Sequence, residues 1–179
     1  MKRSITFLVA VVAAVVAVGG AAAATQCGGG KGGAGGVSTS KLVTSAASQL
    51  GVSRATLVAA IQSSANATID AAVASGDITA ARAEDAKAEV LDNLNDAYRL
   101  STAATVASKL GITTAALNTG FLNARKSLLN AQIDAALAAG KLTADEATAA
   151  KARVTALTTG YKPAGNALGG TLGLRARHR

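Results

Sequence analysis

The chain carries the same segment twice, and this repetition restricts the fold more than any other feature of the sequence. Residues 47–90 and 107–154 both contain a Leu-Gly-[Val/Ile]-[Ser/Thr] string followed by an Ile-Asp-Ala-Ala string. The first strings lie 60 residues apart and the second strings 64 residues apart, so the second copy holds four additional residues. Since a helical turn takes about 3.6 residues, four residues inserted in a helix leave its apolar stripe facing nearly the same way. We therefore expect the additional residues to be helical.

Apolar residues in both copies recur at steps of three and four, which is the spacing of one face of an α-helix. The sequence shows no strand-like alternation and contains a single proline, Pro163. We predict an all-α fold in which each copy forms a short helix, a long helix and a third helix, packed together as one domain. The expected core residues of the long helices are Leu57, Ile61, Ala65, Ile69, Ala72 and Val73 in the first copy, and Leu117, Phe121, Leu128, Leu129, Ile133 and Leu137 in the second.

Glycines and hydroxyl residues mark the ends of the expected helices. Glycine adopts the left-handed conformation that ends a helix without Cβ strain. Serine and threonine accept a hydrogen bond from a free N–H group at a helix start. We predict helix ends at Gly51, Gly76, Gly111 and Gly140, and N-caps at Ser53, Thr79, Thr113 and Thr143. Thr143 and Glu146 have the spacing of a capping box. Because residues 91–110 contain neither glycine nor proline, the third helix either continues through them or breaks at Ser101.

One acidic and one basic position recur in both copies. Asp70 matches Asp134, and Lys87 matches Lys151. A carboxylate late in a helix opposes the helix dipole, so its recurrence indicates a shared partner. We predict a cross-helix ion pair in each copy, Asp70 with Lys87 and Asp134 with Lys151. Catalysis is the alternative interpretation, but no further catalytic group accompanies these residues in the sequence.

The beginning of the chain predicts export. Residues 1–24 combine a basic start, the apolar run 5–18 and a small-residue stretch, the order found in a secretory signal peptide. An uncleaved membrane anchor is the alternative, because the apolar run approaches the length of a spanning helix. Cys27 is the only cysteine and a candidate for lipidation, although Ala24 and Gln26 depart from the residues that usually precede a lipidated cysteine. Otherwise Cys27 is a free thiol.

Composition divides the remaining chain into three parts. Residues 25–40 are rich in glycine and are expected to form a flexible linker. Residues 41–160 form the expected two-repeat helical domain, with units at 41–100 and 101–160. Residues 161–179 contain four glycines and a basic end, and we expect a disordered tail.

The net charge of +8 belongs mainly to the ends of the chain. Residues 41–158 hold 11 basic and 10 acidic residues, so the expected folded part is nearly neutral. The first unit has a net charge of −2, whereas residues 101–158 have a net charge of +3. Opposite signs weakly favour docking of the units on each other or on a neighbouring chain.

Both copies also fit the pattern Ala-x3-Gly-[Val/Ile]-[Ser/Thr]-x3-Leu, which is typical of the bacterial helix-turn-helix. DNA binding is therefore an alternative function, with Arg54, Gln62 and Asn66 as the exposed positions of the second helix. Export, the neutral folded part and the absence of a basic stripe weigh against it. Any tight helix corner needs the same small residue, glycine and cap. The pattern therefore predicts a helix corner more strongly than it predicts DNA binding.

Few residues in the sequence are typical of an enzyme. His178, the only histidine, lies in the expected tail, and no Ser/His/Asp set, Cys/His metal spacing or phosphate-binding loop is present. Acidic residues recur at helical spacing, which predicts a solvated acidic stripe or, as an alternative, a weak cation site. These residues are Asp85, Glu89, Asp92 and Asp96. Tyr98, Phe121 and Tyr161 are too scattered in sequence to predict a stacking surface. We expect neither enzyme activity nor a cofactor.

The string Ile-Asp-x-Ala-[Val/Leu]-x2-Gly-x-[Ile/Leu]-Thr-x3-Ala occurs at residues 69–83 and 133–147. Together with the upstream corner, it resembles Ala-rich repeats in uncharacterised exported proteins of high-GC Gram-positive bacteria. It is similar, more distantly, to the small exported YckD-like family, which implies a helical fold and an envelope location but no functional residues. We therefore expect a secreted or envelope-associated, non-enzymatic interaction or structural module. Its partner would be a protein or an envelope polymer, with self-association as a further option.

A third functional interpretation concerns the basic tail. It could attach the protein to anionic envelope polymers or lipids. Nucleic acid is not the expected partner, and membrane contact would require an uncleaved signal or a lipidated Cys27.

Overall fold

The computed structural model describes residues 37–162, and this part of the chain is all-α, which confirms the predicted fold class. The predicted signal peptide at 1–24, Cys27, most of the predicted linker and residues 163–179 lie outside the described residues. Residues 37–162 form seven α-helices and no strand. The helices are α1 Thr39–Leu50, α2 Arg54–Ala74, α3 Ala80–Asp92, α4 Leu94–Leu100, α5 Ala103–Leu110, α6 Thr114–Ala138 and α7 Ala144–Thr155. None of these helices has the length and apolar character needed to cross a bilayer.

The expected start and stop residues lie at helix ends. Positive φ angles between 65° and 79° occur at Gly51, Gly76, Gly111 and Gly140. The side chains that accept a hydrogen bond from the third residue of the following helix are Ser53, Thr79, Thr113 and Thr143. At α7 the capping box is complete, because the Thr143 N–H also donates to Glu146 Oε2 at 2.8 Å. This backbone hydrogen bond lowers the pKa of the Glu146 carboxyl.

The four additional residues of the second copy lie inside the long helix, since α2 has 21 residues and α6 has 25. Two equivalent hydrogen bonds locate them. Gln62 Nε2 donates to the Leu91 carbonyl at 3.0 Å, and Lys126 Nζ donates to the Thr155 carbonyl at 2.8 Å. The two donors, Gln62 and Lys126, are 64 positions apart. The fully buried Ile61 directly precedes Gln62, and its counterpart Phe121 is only 60 positions later. The insertion is therefore the helical turn 122–125.

The two copies exchange their first helices. Helix α1 packs along α6 of the second copy, and α5 packs on α2 of the first copy. Small residues at these crossings allow a close approach, as at Gly120, which is buried against Leu50. The residues of both copies share one core, whose largest fully buried hydrophobic side chains are Phe121, Leu57, Ile61, Ile69, Leu117, Val43, Val90 and Val106.

The structure places two boundaries differently from the sequence-based expectation. Helix α1 begins at Thr39 with Ser38 as its N-cap, and Val37 packs against the core, so folded structure starts before residue 41. The third helix of the first copy ends at Asp92 and not at Ser101. Asn93 has extended backbone angles there, and its side-chain oxygen caps α4 by accepting a hydrogen bond from the Asn95 N–H. A second break follows between α4 and α5.

The three aromatic residues of the folded part are far apart in sequence but lie together in the core. The Tyr161 ring contacts Phe121 with centroids 4.7 Å apart and Tyr98 with centroids 4.9 Å apart. Its hydroxyl group hydrogen-bonds to Ser101, and burial raises the pKa of this phenol. Tyr161 therefore belongs to the core and not to a disordered tail.

Residues 160–162 are held against α6 and α4. The Tyr161 N–H donates to Asn118 Oδ1 at 3.2 Å, and the Lys162 N–H donates to the Tyr98 hydroxyl oxygen at 3.2 Å. Gly160 lies so close to α6 that a Cβ atom would be 1.8 Å from the Asn118 carbonyl oxygen. The absence of a side chain at residue 160 allows the chain to reach the aromatic cluster.

Candidate interaction surfaces

Each copy forms a helical hairpin joined by an ion pair. Lys87 Nζ of α3 lies 2.8 Å from Asp70 Oδ1 of α2, and Lys151 Nζ of α7 lies 2.6 Å from Asp134 Oδ1 of α6. Hydrogen bonding to Asp70 is the largest cause that raises the pKa of the Lys87 ammonium group. Glu84 also approaches Lys87, at 3.6 Å. Partly exposed pairs of this kind add little stability, but they fix how the two helices meet.

The helix-turn-helix pattern corresponds to two packed corners. At the first corner, Ala47 and Leu57 are buried on either side of the turn. Gln62 and Asn66, which we expected to be exposed, are half-buried. Gln62 donates a hydrogen bond to the Leu91 carbonyl oxygen. The Asn66 amide oxygen is buried without a hydrogen-bond partner in the described part of the chain. Arg54 is exposed and donates to Thr44 Oγ1 at 3.2 Å.

The four acidic residues predicted to share one helix stripe lie on two helices. Asp85, Glu89 and Asp92 are exposed on α3, whereas Asp96 is buried on α4 and accepts a hydrogen bond from Asn93 Nδ2. Across residues 37–162, no group of three His, Cys, Asp or Glu side chains is arranged to hold a metal ion.

The second hairpin has a more exposed apolar surface than the first. Along the distal half of α6, Leu129, Ile133 and Ala136 are half-buried and Leu137 is 38% exposed. We name these four residues the outer stripe. Leu137 was expected in the core, and this expectation was wrong. The corresponding residues of α2 are more deeply buried, with Ala65, Ile69 and Ala72 in the buried class and Val73 half-buried.

The neighbours of the two long helices explain this difference. Helix α2 contacts α3, α4 and α5. In the second copy, the segment that corresponds in sequence to α4 follows α7 but is not helical up to residue 162. It returns to the proximal half of α6, where Gly160 contacts Asn118 and Leu122. Within residues 37–162, no further helix therefore covers the outer stripe.

A matched pair of substitutions tests this difference in burial. Ile69→Val removes a methyl group from a fully buried side chain, and we expect the free energy of unfolding to fall by about 1 kcal/mol. Ile133→Val removes the same group from a half-buried side chain, and we expect a loss below about 0.5 kcal/mol. Urea-induced unfolding followed by circular dichroism measures both values. Equal losses at the two positions would contradict the exposure of the outer stripe.

A second exposed apolar side chain lies on the first hairpin. Leu91 at the end of α3 is 60% exposed. It borders an open groove of about 480 Å³ between α2, α3 and α5. Gln62, Asn66, Asp70 and Lys109 give this groove a polar lining. The sequence analysis did not single out Leu91 as an exposed apolar residue. It is the residue after the buried Val90.

The chain matches no protein-family model, no curated protein and no solved structure.

Proposed function

We propose that this protein is an exported, non-enzymatic helical protein that acts as an interaction module at the cell envelope. The observation that carries this proposal is the outer stripe of α6, which remains in contact with water although three of its four counterparts on α2 are buried. Removing such apolar side chains from water stabilises a complex, so an uncovered stripe favours a partner. The signal-like residues 1–24 support the envelope location.

The chemistry of the stripe favours a protein partner with an apolar helical face. Side chains at steps of three and four along one helix form a row that a second helix covers by ridge-into-groove packing. In the first copy, α2 is covered by helices of this same chain. A partner helix beside α6 would bury Ile133 and Leu137 in the same manner.

Site-specific photo-crosslinking in the native host tests the proposal. A photoreactive amino acid at Leu137 should give an adduct with an envelope or extracellular protein. The same group at Val73, the matching position of the first copy, should give at least about tenfold less adduct, which corresponds to a difference of about 1.4 kcal/mol in binding. Equal adduct yields at the two positions would contradict the assignment of the stripe. Recovery of the protein from the cytoplasm with Met1 intact would contradict export.

A further inference from the structure

The outer face of α3 combines carboxylates with an apolar side chain. Glu84, Asp85, Glu89 and Asp92 are exposed there, and the exposed Leu91 adjoins Asp92 at the end of the helix. We name these five residues the α3 face. Within residues 37–162, the one ion pair that involves its carboxylates is the contact between Glu84 and Lys87, and Lys87 is closer to Asp70. Within the described residues, the α3 face is therefore a mainly acidic surface with one exposed apolar side chain at its C-terminal end.

The matching face of α7 has a different chemistry. Its exposed residues, 64 positions later, are Thr148, Ala149, Arg153, Thr155 and Ala156. These five residues include one arginine and no carboxylate. The two hairpins thus provide the same helical scaffold with different surface chemistry, which makes α7 an internal control for any ligand of α3.

Lys162, the last residue that the structure describes, lies within reach of the α3 face. Lys162 is bonded through its N–H group to the Tyr98 hydroxyl oxygen. Asp92 precedes Tyr98 by six residues, so their Cα atoms are at most about 20 Å apart. The residues that follow Lys162 reach Arg175 within thirteen positions, and an extended chain of that length spans about 40 Å. Residues 163–179 are therefore long enough to cover all of α3.

The sequence of residues 163–179 complements the α3 face. It contains no acidic residue, and its larger apolar and basic residues are clustered toward its end. These are Leu168, Leu172, Leu174, Arg175, Arg177 and Arg179. Arginine forms hydrogen-bonded pairs with carboxylates, and leucine side chains can cover Leu91.

We propose that residues 168–179 bind the α3 face of the same chain, with their leucines against Leu91 and their arginines against the surrounding carboxylates. Attachment to one chain gives these residues a local concentration in the millimolar range, so weak contacts suffice for occupancy. The binding is electrostatic in part and weakens as salt screens the charges. It occupies the arginines that would otherwise contact an anionic polymer or lipid. It uses a different surface from the outer stripe, so either proposal can fail without the other.

Paramagnetic relaxation enhancement in the full chain tests this binding. A nitroxide is attached at Ala176→Cys in a Cys27→Ser background, and amide signals are compared between oxidised and reduced label. We expect signals of residues 84–92 to lose at least about twofold more intensity than those of residues 148–156, as occupancy of a tethered site requires. The difference should disappear in about 1 M NaCl, where the screening length is about 3 Å.

Charge exchange provides the specific control. Glu89→Lys with Asp92→Lys should abolish the preferential broadening, and so should replacement of Arg175, Arg177 and Arg179 by glutamate. Combining both sets of substitutions should restore it. Equal broadening of α3 and α7, preferential broadening of the outer stripe, or insensitivity to charge would overturn the proposal. Broadening that arises between a labelled and an unlabelled chain would also overturn it, because the occupant would then be a second copy.

Discussion

Replacing Phe121 with alanine should lower the free energy of unfolding by about 4 kcal/mol. Its side chain is the largest of those fully buried, and it contacts the rings of Tyr98 and Tyr161. Truncation removes this buried apolar area and leaves a cavity between two rings that are held by other hydrogen bonds. Since a domain of this size is stable by about 5–15 kcal/mol, a large share of the total would be lost. Urea unfolding followed by far-UV circular dichroism measures the change.

Two further variants make this result interpretable. Phe121→Leu retains most of the volume and should cost about 1.5 kcal/mol or less. Leu137→Ala truncates a partly exposed side chain and should cost less than about 1 kcal/mol. A loss at Phe121→Ala no larger than that at Leu137→Ala would contradict the central position of the aromatic cluster.

Gly160→Ala should destabilise the protein by about 3 kcal/mol. The added Cβ would lie 1.8 Å from the Asn118 carbonyl oxygen and 3.0 Å from the Leu122 nitrogen. Both are backbone atoms of α6, so the clash cannot be relieved by rotating a side chain. Residues 160–162 must move away, and the Tyr161 ring loses its burial together with its hydrogen bond to Ser101. Burying a large side chain contributes about 1.5–3 kcal/mol and a hydrogen bond about 1 kcal/mol, which gives the expected size.

Near-UV circular dichroism distinguishes this mechanism from general unfolding. The only two tyrosines of the chain are in the cluster, so displacement of Tyr161 should reduce the near-UV signal while far-UV helix content persists. Thr159→Ala changes the exposed neighbour and should leave stability within about 0.5 kcal/mol of the wild type. An unaltered near-UV spectrum for Gly160→Ala would show that the close contact with α6 is absent.

Local signals in the sequence predicted most of the helical structure. Glycine ends and hydroxyl caps depend on the residues within one helical turn, so Gly51 and Thr143 could be identified without knowledge of the tertiary fold. The spacing of Leu57 and Ile61 predicted the buried face of α2 for the same reason. The break at Asn93 was missed, because asparagine is tolerated in a helix as well as at its start.

Long-range contacts could not be predicted from the same signals. Ile69 and Ile133 occupy matching positions in nearly identical strings, yet the neighbouring helices bury one and leave the other half-exposed. Tyr161 follows a glycine and precedes a glycine-rich segment, so the composition of the sequence around it indicated a tail. Its burial depends on a pocket formed by Tyr98 and Phe121, which come from two distant helices. The candidate surfaces therefore required the tertiary structure.

The exchange of first helices between the copies has a consequence for the order of folding. Helix α1 packs mainly on α6, which ends at Ala138, so the part of its apolar face that contacts α6 stays uncovered until most of the chain has been synthesised. Closing so long a loop carries a large entropic cost, which slows the formation of the core. The first copy alone lacks this partner and cannot complete its packing. For the export that we propose, this dependence keeps the chain from compacting until translocation is nearly finished.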